Sequence, residues 1–207
     1  MSRVMMKRRL VLAAPLGLVA CGSILPVQKF TPTVDWPLDP QPPSMMAPNA
    51  AGPILLVRDL SAAPGLDDTG LHSLRADGSL DISYYNRWSV PPANAATAAL
   101  ANWALASGDF AAVVGPGSRL TANLIVEGEL AEFYADLSTG QAHAVLTLVI
   151  IRNSFSIAAV NRPLAQQRIN GTAPLRGTDA AALVAAQLAA LASALTQAMT
   201  LLNRLTA

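Results

Sequence analysis

The C-terminal stretch of the chain has the apolar period of one long amphipathic helix. Its large apolar residues recur at spacings of 4, 3, 4, 4 and 3 and so lie on one side of a helix: Val184, Leu188, Leu191, Leu195, Met199 and Leu202. From a start at Thr178 or Asp179 to Leu205, this helix would be about 40 Å long. The predicted polar side (Gln187, Ser193, Gln197 and Asn203) is neutral, with only Arg204 as a cation. We therefore expect the apolar stripe to pack on a sheet rather than on a membrane surface.

The first twenty residues have the layout of a secretory signal. Four basic residues precede an apolar run from Leu10 to Val19, which is about half as long as a bilayer crossing requires. Cys21 follows Leu18-Val19-Ala20, and this sequence resembles the lipobox of bacterial lipoproteins. The resemblance implies that residues 1–20 are removed as a signal peptide and that Cys21 is lipidated and holds the chain on a membrane. Since Cys21 is the only cysteine, it cannot form an intrachain disulfide.

The chain after the signal is long enough for one domain with a buried core. Four of the fourteen basic residues lie in the predicted signal, so acidic residues outnumber basic ones in the remainder. This remainder has no run of lysine and arginine, and nucleic acid is therefore not an expected partner. Charged residues make up 13% of the chain and apolar ones 52%. This composition indicates either a surface partly covered by lipid or protein, or simply a high alanine content.

Residues 21–52 are predicted to form a lipidated, proline-rich tether. Eight of the fifteen prolines lie between Pro26 and Pro53, and proline disfavours a helix while it stiffens an extended chain. The stretch from Val27 to Trp36 is compatible with one short strand, which Pro32 would confine to a sheet edge. We expect such a tether to hold the folded domain away from the membrane.

Residues 53–207 are predicted to form a single α/β domain. Ile54–Val57 is a short apolar run typical of a buried strand. Asp77-Gly78 indicates a hairpin turn before an alternating strand that starts at Leu80. Asn94 is the expected cap of a helix that stops at Gly108.

Further strands are expected over 110–114, 120–137, 142–152 and 164–171. The segment 142–152 is apolar on both sides, which is typical of a central strand covered above and below. The last two segments are expected to pair through a turn near Asn161–Pro163, or one at Asn153-Ser154. The elements together predict a small, mixed, mostly antiparallel sheet of five or six strands packed by two helices, including the long C-terminal helix.

The chain lacks the residue patterns that enzymes use. His72 and His143 have no metal-ligating neighbour at helical or strand spacing. Gly115-Pro116-Gly117-Ser118-Arg119 has the wrong order for a nucleophile elbow and lacks a phosphate-binding glycine pattern. The acidic clusters are readable as surface charge: Asp67-Asp68, Asp77 with Asp81, and Glu127 with Glu129 and Glu132. We therefore expect neither an enzyme nor a bound metal or cofactor.

A second informative motif, after the lipobox, is the segment Ile82-Ser83-Tyr84-Tyr85-Asn86-Arg87-Trp88-Ser89-Val90-Pro91-Pro92. A strand that ends in Tyr-x-x-Arg-Trp, followed by a proline turn and a helix with Leu100 and Trp103, resembles the auxiliary lipoproteins of ABC-type transport systems. These are partners of Mce-type lipid transporters, including the paraquat-inducible system. The resemblance covers most of the chain after the lipobox. One departure is at Phe30-Thr31-Pro32, where the family often has a tyrosine-led strand.

The resemblance implies a non-catalytic protein that attaches to the periplasmic end of an Mce-protein assembly. It would work beside an ABC permease and ATPase and help to link them to the outer membrane, so that lipid crosses the periplasm; a homo-oligomer is compatible with this role. Gly22 follows Cys21 where an aspartate would indicate inner-membrane retention, so we expect an outer-membrane anchor facing the periplasm. Two alternatives stay open, namely a lipid-binding carrier and an assembly lipoprotein of another envelope complex.

Arg87 and Trp88 are the candidate partner-interface residues, because arginine and tryptophan are enriched at binding hot spots. The alternative is that Trp88 fills the core under the first helix while Arg87 pairs with a nearby acid.

Overall fold

The structure is a computed structural model that describes residues 30–153 and 162–206. The predicted signal peptide, Cys21 and the start of the predicted tether lie outside the described residues. The predicted turns near Asn161–Pro163 and at Asn153-Ser154 also fall largely outside them. Pro32 is the first residue of the compact unit that holds the fold.

The described residues form nine strands and two helices. In chain order these are β1 (Val34–Trp36), β2 (Ile54–Val57), β3 (Ser61–Ala62), β4 (Gly70–Leu74), β5 (Leu80–Trp88), α1 (Pro92–Ser107), β6 (Ala112–Val114), β7 (Leu124–Asp136), β8 (Gln141–Arg152), β9 (Arg162–Pro174) and α2 (Ala180–Thr206). The predicted α/β class and both helices are confirmed. The sheet has nine strands rather than the predicted five or six, and two of them, β1 and β3, have only three and two residues.

Strand β7 is the centre of the sheet. One of its edges pairs antiparallel with β8 over its length, and β8 pairs antiparallel with β9. Its other edge pairs in succession with three short parallel strands, β2, β3 and β4. From these the sheet continues to β6 beside β2, and to β5 and then β1 beside β4. The long ladders are antiparallel, as predicted, whereas most of the short ones are parallel.

Both helices pack on the same face of the sheet. Helix α2 lies on β8 and β9 and also contacts α1, which covers β7, β2 and β6. Leu191, Leu195 and Leu202 of the predicted stripe are buried, so its expected packing on the sheet is confirmed. By length and composition α2 could span a membrane, but half of its most apolar window is buried inside the domain.

Two details of the helices differ from the prediction. Helix α1 begins at Pro92 rather than after Asn94, because proline at the first helical position supplies the helical φ and needs no donor. Its end at Gly108, with φ 75°, is as predicted. Gln187, expected on the polar side of α2, is fully buried, and its side-chain N–H donates to the backbone carbonyl of His72 at 3.0 Å.

The predicted tether is shorter than residues 21–52, because residues from Pro32 onward belong to the domain. Leu38 is buried, and the Trp103 indole N–H donates to the carbonyl of Pro40 at 2.7 Å. The backbone N–H of Met46 donates to the carbonyl of Ala106 at the end of α1. The described part of this segment contains no helix, and a few of its backbone groups bond to α1 and to the residue that ends it.

Strand β8 was predicted to be covered on both faces, and this is half right. Ala144, Leu146 and Leu148 face the helices and are fully buried. On the other side Val145 is also buried, but Thr147 and Val149 are only half-buried. No helix of the described residues packs on that side. We call it the open face, formed by the outward side chains of β7, β8 and β9: Ile125, Glu127, Glu129, Glu132, Tyr134, His143, Val145, Thr147, Val149, Ile151, Arg168, Asn170 and Thr172.

Candidate functional site

Trp88 of the Tyr-x-x-Arg-Trp motif is part of the core. Its side chain is 1% exposed, and its ring centroid lies 5.6 Å from that of Phe133 on β7. The Trp88 backbone N–H donates to the carbonyl of Thr69. This position agrees with the second interpretation of Trp88, in which the side chain fills the core. By packing on Phe133, the indole connects β5 with β7 at the centre of the sheet.

Arg87 is exposed and pairs with an acid on the neighbouring strand. Its guanidinium donates to one carboxylate oxygen of Asp35 from Nη2 at 3.0 Å and from Nε at 3.2 Å. Asp35 and Arg87 are also register partners in the parallel pairing of β1 with β5. The pair therefore closes a cross-strand contact at the point where the N-terminal segment joins the sheet.

Two further bonds hold β1 at this position. The Trp36 indole N–H donates to the side-chain oxygen of Asn86 at 3.3 Å, and the backbone N–H of Ser89 donates to the carbonyl of Trp36 at 2.8 Å. All of these contacts fall on the three positions where β1 and β5 are in register or on Ser89, the next residue. The motif thus fastens the N-terminal strand, and with it the chain from Cys21, to the domain.

Strand β5 is irregular within the motif. Gly70 of β4 pairs with Arg87, but the next residue, Leu71, pairs with Ser83, so Tyr84, Tyr85 and Asn86 form a bulge. The two tyrosine rings meet edge to face, with centroids 5.3 Å apart. Tyr84 is 78% exposed, and Val34, Ile82 and Tyr85 each expose between 40% and 46% of their surface. We call these four residues, with Leu80, the β5 edge patch.

The open face has an acidic centre whose charge is largely neutralised. Glu127 accepts from Arg58 at 2.7 Å, and Glu132 accepts from Arg168 on β9. At one end of this face Tyr134 stacks on His143, with centroids 5.3 Å apart. Burial, together with the negative charges of Glu132 and Asp136, raises the pKa of the Tyr134 hydroxyl. The hydroxyl therefore stays protonated and available as a hydrogen-bond donor.

The two histidines are not arranged as ligands or catalysts. His72 is buried, and its Nε2 lies 3.1 Å from a carboxylate oxygen of Asp68, whereas its Nδ1 has no hydrogen-bond partner among the described residues. His143 stacks on Tyr134 on β7. Within residues 30–153 and 162–206 there is no cluster of three or more histidine, cysteine or carboxylate side chains that could hold a metal ion.

The cavities of the described domain are shallow. A groove of about 480 Å³ is lined by polar groups of Asn123, Arg152 and Asn153 near the end of α2. A smaller one of about 230 Å³ lies between Pro42-Pro43, Trp103 and Met199. Both are open to solvent rather than enclosed. Neither has the closed apolar form expected of a site that envelops an acyl chain.

Comparisons with known proteins agree with this architecture. The family model described as "ABC-type transport auxiliary lipoprotein component" matches residues 36–199. A crystal structure of a Xanthomonas campestris protein, described by the family model DUF330, superposes with a TM-score of 0.62 at 22% identity, covering 83% of this chain and 97% of that one. A second, an uncharacterized protein, gives 0.56 at 12% identity, covering 81% and 100%. A comparison with curated proteins finds no match. At these identities the superpositions show a shared fold.

Proposed function

Since this chain belongs to the family of ABC-type transport auxiliary lipoprotein components, we propose that it is the periplasm-facing lipoprotein of an Mce-type lipid transport system. In this role Cys21 carries the lipid anchor, the anchor lies in the outer membrane, and the domain binds the Mce protein. The observation that supports the proposal best is the extent of the family match, which runs from Trp36 in β1 to Met199 in α2. It therefore includes strands β2 to β9, all of α1 and most of α2.

An adaptor must transmit its attachment from the membrane to the folded domain. The chain from Cys21 reaches the domain at β1, where the Asp35–Arg87 ion pair and the Trp36–Asn86 bond hold it. Trp88 then joins the same place to the core through Phe133. The family motif therefore lies on the mechanical path between the proposed anchor and the domain.

The cavities favour an adaptor over the carrier alternative. A carrier needs an enclosed apolar volume large enough to shield an acyl chain from water. The grooves near Arg152 and near Trp103 are open, and the larger one is polar. The interior between sheet and helices is filled instead by small and medium side chains such as Ala190, Ala194 and Leu195.

The burial of Trp88 leaves Arg87 as the remaining candidate of the two predicted partner-interface residues. An indole that is 1% exposed has almost no surface to offer a partner, so the interface proposal for the motif now rests on Arg87. Because Arg87 is already paired with Asp35, a partner would have to compete with that pair or read both residues together. If the partner is a second copy of the chain, it too would have to compete with the Asp35–Arg87 pair or bind both residues together.

Affinity purification from the native host tests the proposed function. The protein, tagged at its C-terminus and extracted in mild detergent, is expected to bring down an Mce-domain protein, a permease and an ATPase. Mass spectrometry of the same sample is expected to show the leader removed and Cys21 acylated. The matched control is Cys21→Ser, which should lose the acyl group and the membrane fractionation.

Three outcomes would contradict the proposal, and the first two distinguish the alternatives. Stoichiometric phospholipid extracted from the purified domain, without an Mce partner, would favour the carrier. Recovery of a different envelope complex would favour the assembly lipoprotein. An unmodified Cys21 would remove the anchor and with it the link between the membranes.

A further inference from the structure

The β5 edge patch lies where the chain from the proposed anchor joins the domain. In the parallel register of β1 with β5, Val34 is opposite Asn86. Residues before Val34 therefore run toward the level of Tyr85 and Tyr84. Tyr84, which is 78% exposed, is thus beside the end of the chain that leads back to Cys21.

The length of that chain limits how far the patch can be from a membrane. Residues 22–31 separate Cys21 from the start of the compact unit at Pro32. A segment of this length spans at most about 40 Å, whatever its conformation. A domain of this length has a diameter of about 40 Å. With Cys21 lipidated, the edge that carries the tether therefore stays within about 40 Å of the lipid.

We infer that the β5 edge patch is a membrane-contact surface that rests on the lipid headgroups around the Cys21 anchor. The inference depends on the lipidation that forms part of the proposed function. Tyr84 and Tyr85 have the amphipathic rings that are enriched at membrane–water interfaces. Val34, Ile82 and Leu80 supply exposed apolar surface beside them. An exposed cluster of this kind is unusual on a freely soluble domain.

The charges around the patch indicate which lipids it would meet. Asp35 is paired with Arg87, and Asp81 is paired with Arg75 at 3.1 Å. No unpaired lysine or arginine lies on β1 or β5 to select anionic headgroups. The contact is therefore apolar and aromatic, and it should depend little on salt or on the anionic lipid fraction. A weak contact is sufficient, since the anchor makes it intramolecular and gives it a high effective concentration.

Site-directed spin labelling of the full lipidated chain tests this inference. Because the thiol of Cys21 is consumed by the acyl group, Tyr84→Cys and Val34→Cys each introduce the only reactive thiol. Leu120→Cys is the matched control: Leu120 is also exposed, at 53%, but it follows β6 at the opposite end of the strand order. The proteins are inserted into phosphatidylcholine vesicles, with and without phosphatidylglycerol, and the accessibility of each label to oxygen and to a water-soluble nickel complex is measured.

The expected result is a label at positions 34 and 84 that is several-fold less accessible to nickel than the label at position 120, and more accessible to oxygen. The difference should be the same in neutral and anionic vesicles. Equal nickel accessibility at all three positions, in protein that floats with the vesicles, would overturn the membrane contact while leaving the anchor intact. Protection from both reagents, with dipolar broadening that vanishes on dilution with unlabelled protein, would assign the patch to a second copy and also overturn it. Protein that fails to float would refute the anchor and this inference together.

Discussion

The half of the sheet formed by β7, β8 and β9 and the edge formed by β4, β5 and β1 are built in opposite ways. The first half has two long antiparallel ladders and a helix that approaches closely because the facing residues are Gly171, Ala190 and Ala194. The second has short ladders, a bulge of three residues and large exposed side chains. Backbone proximity stabilises the first, whereas a few specific side-chain contacts hold the second. The first half therefore has the more extensive backbone packing, whereas the second half holds the chain that leads back to Cys21.

Trp88 is the residue that joins these halves, and its removal has the largest expected effect. Trp88→Ala should lower the free energy of unfolding by about 4 kcal/mol, because a large buried aromatic is replaced by a cavity. Urea unfolding followed by circular dichroism measures this loss. The control is Trp88→Phe, which keeps a ring against Phe133 and removes an indole N–H that is buried without a partner among the described residues. It should lose about 1 kcal/mol. Similar small losses in both variants would show that the two halves are joined elsewhere.

Gly171 tests the close approach in the first half. A Cβ at this position would lie 2.1 Å from the carbonyl oxygen of Ala190 and 2.5 Å from the backbone nitrogen of Ala194. Gly171→Ala must therefore push α2 away from β9, with an expected loss of about 3 kcal/mol in the same urea experiment. Thr172→Ala is the matched control on the open face of the same strand, and it should change stability by less than about 0.5 kcal/mol. An equal effect at both positions would contradict the proposed tight packing.

The sequence predicted the first half better than the second, for physical reasons. Long ladders and a long helix impose a period on many residues, so α2, β7, β8 and β9 were all recognised. Within β7, Leu124, Val126 and Leu130 are buried, whereas Glu127 and Glu129 on the other face are only partly buried. The short edge strand expected between Val27 and Trp36 is present as β1 at the edge of the sheet. The sequence did not predict that the proline-rich residues around it, from Pro32 onward, belong to the domain. The domain therefore begins earlier than residue 53.

Surface and core were harder to separate than strand and helix. The apolar residues on both sides of β8 indicated two covering layers, but Val149 and Ile151 are only half-buried on the open face. The sequence predicts Gln187 on the polar side of α2 because its side chain is polar. In the structure the buried side of α2 is wide enough to include it. For Trp88 the sequence left two roles open, and its burial against Phe133 of β7 distinguishes them. The motif was found by resemblance, while its role in fastening β1 required the structure.

The Asp35–Arg87 pair offers a sharper test of the second half. Because the pair is solvent-exposed, it should stabilise the fold by no more than about 1 kcal/mol. Arg87→Asp places two carboxylates opposite each other across β1 and β5 and should cost a similar amount. The double variant Asp35→Arg/Arg87→Asp restores an attractive pair in the reversed direction and should recover most of the lost stability.

The same double variant separates fastening from partner recognition. If Arg87 acts by holding β1, the swapped protein should co-purify with its transport partners as the native protein does. Loss of co-purification from a protein that unfolds at the normal urea concentration would instead assign Arg87 to the partner interface. The comparison needs only the tagged protein from the native host and the two single variants beside it.

The smallest expected effect compares one hairpin turn from each half. In the β7–β8 turn the Asp136 carboxylate accepts bonds from the Ser138 hydroxyl and from the backbone N–H groups of Ser138 and Thr139, which lower its pKa to about 2. In the β4–β5 turn Asp77 accepts from the hydroxyl and backbone N–H of Ser79, and its pKa is also lowered. A carboxyl whose folded pKa is depressed binds more protons when unfolded. Its stabilising contribution is therefore complete above about pH 4 and is lost as the pH falls toward 2.

Carboxyl-detected NMR titration should place Asp136 near 2 and Asp77 below its ordinary value. Asp136→Asn should flatten the dependence of unfolding free energy on pH between about 4 and 2, since the variant no longer has a proton to gain there. Asp77→Asn should flatten it less, because Asp77 accepts bonds from one residue rather than two. Equal flattening by both variants would mean that the two turns are held with equal strength, and that the contrast between the halves does not extend to their loops.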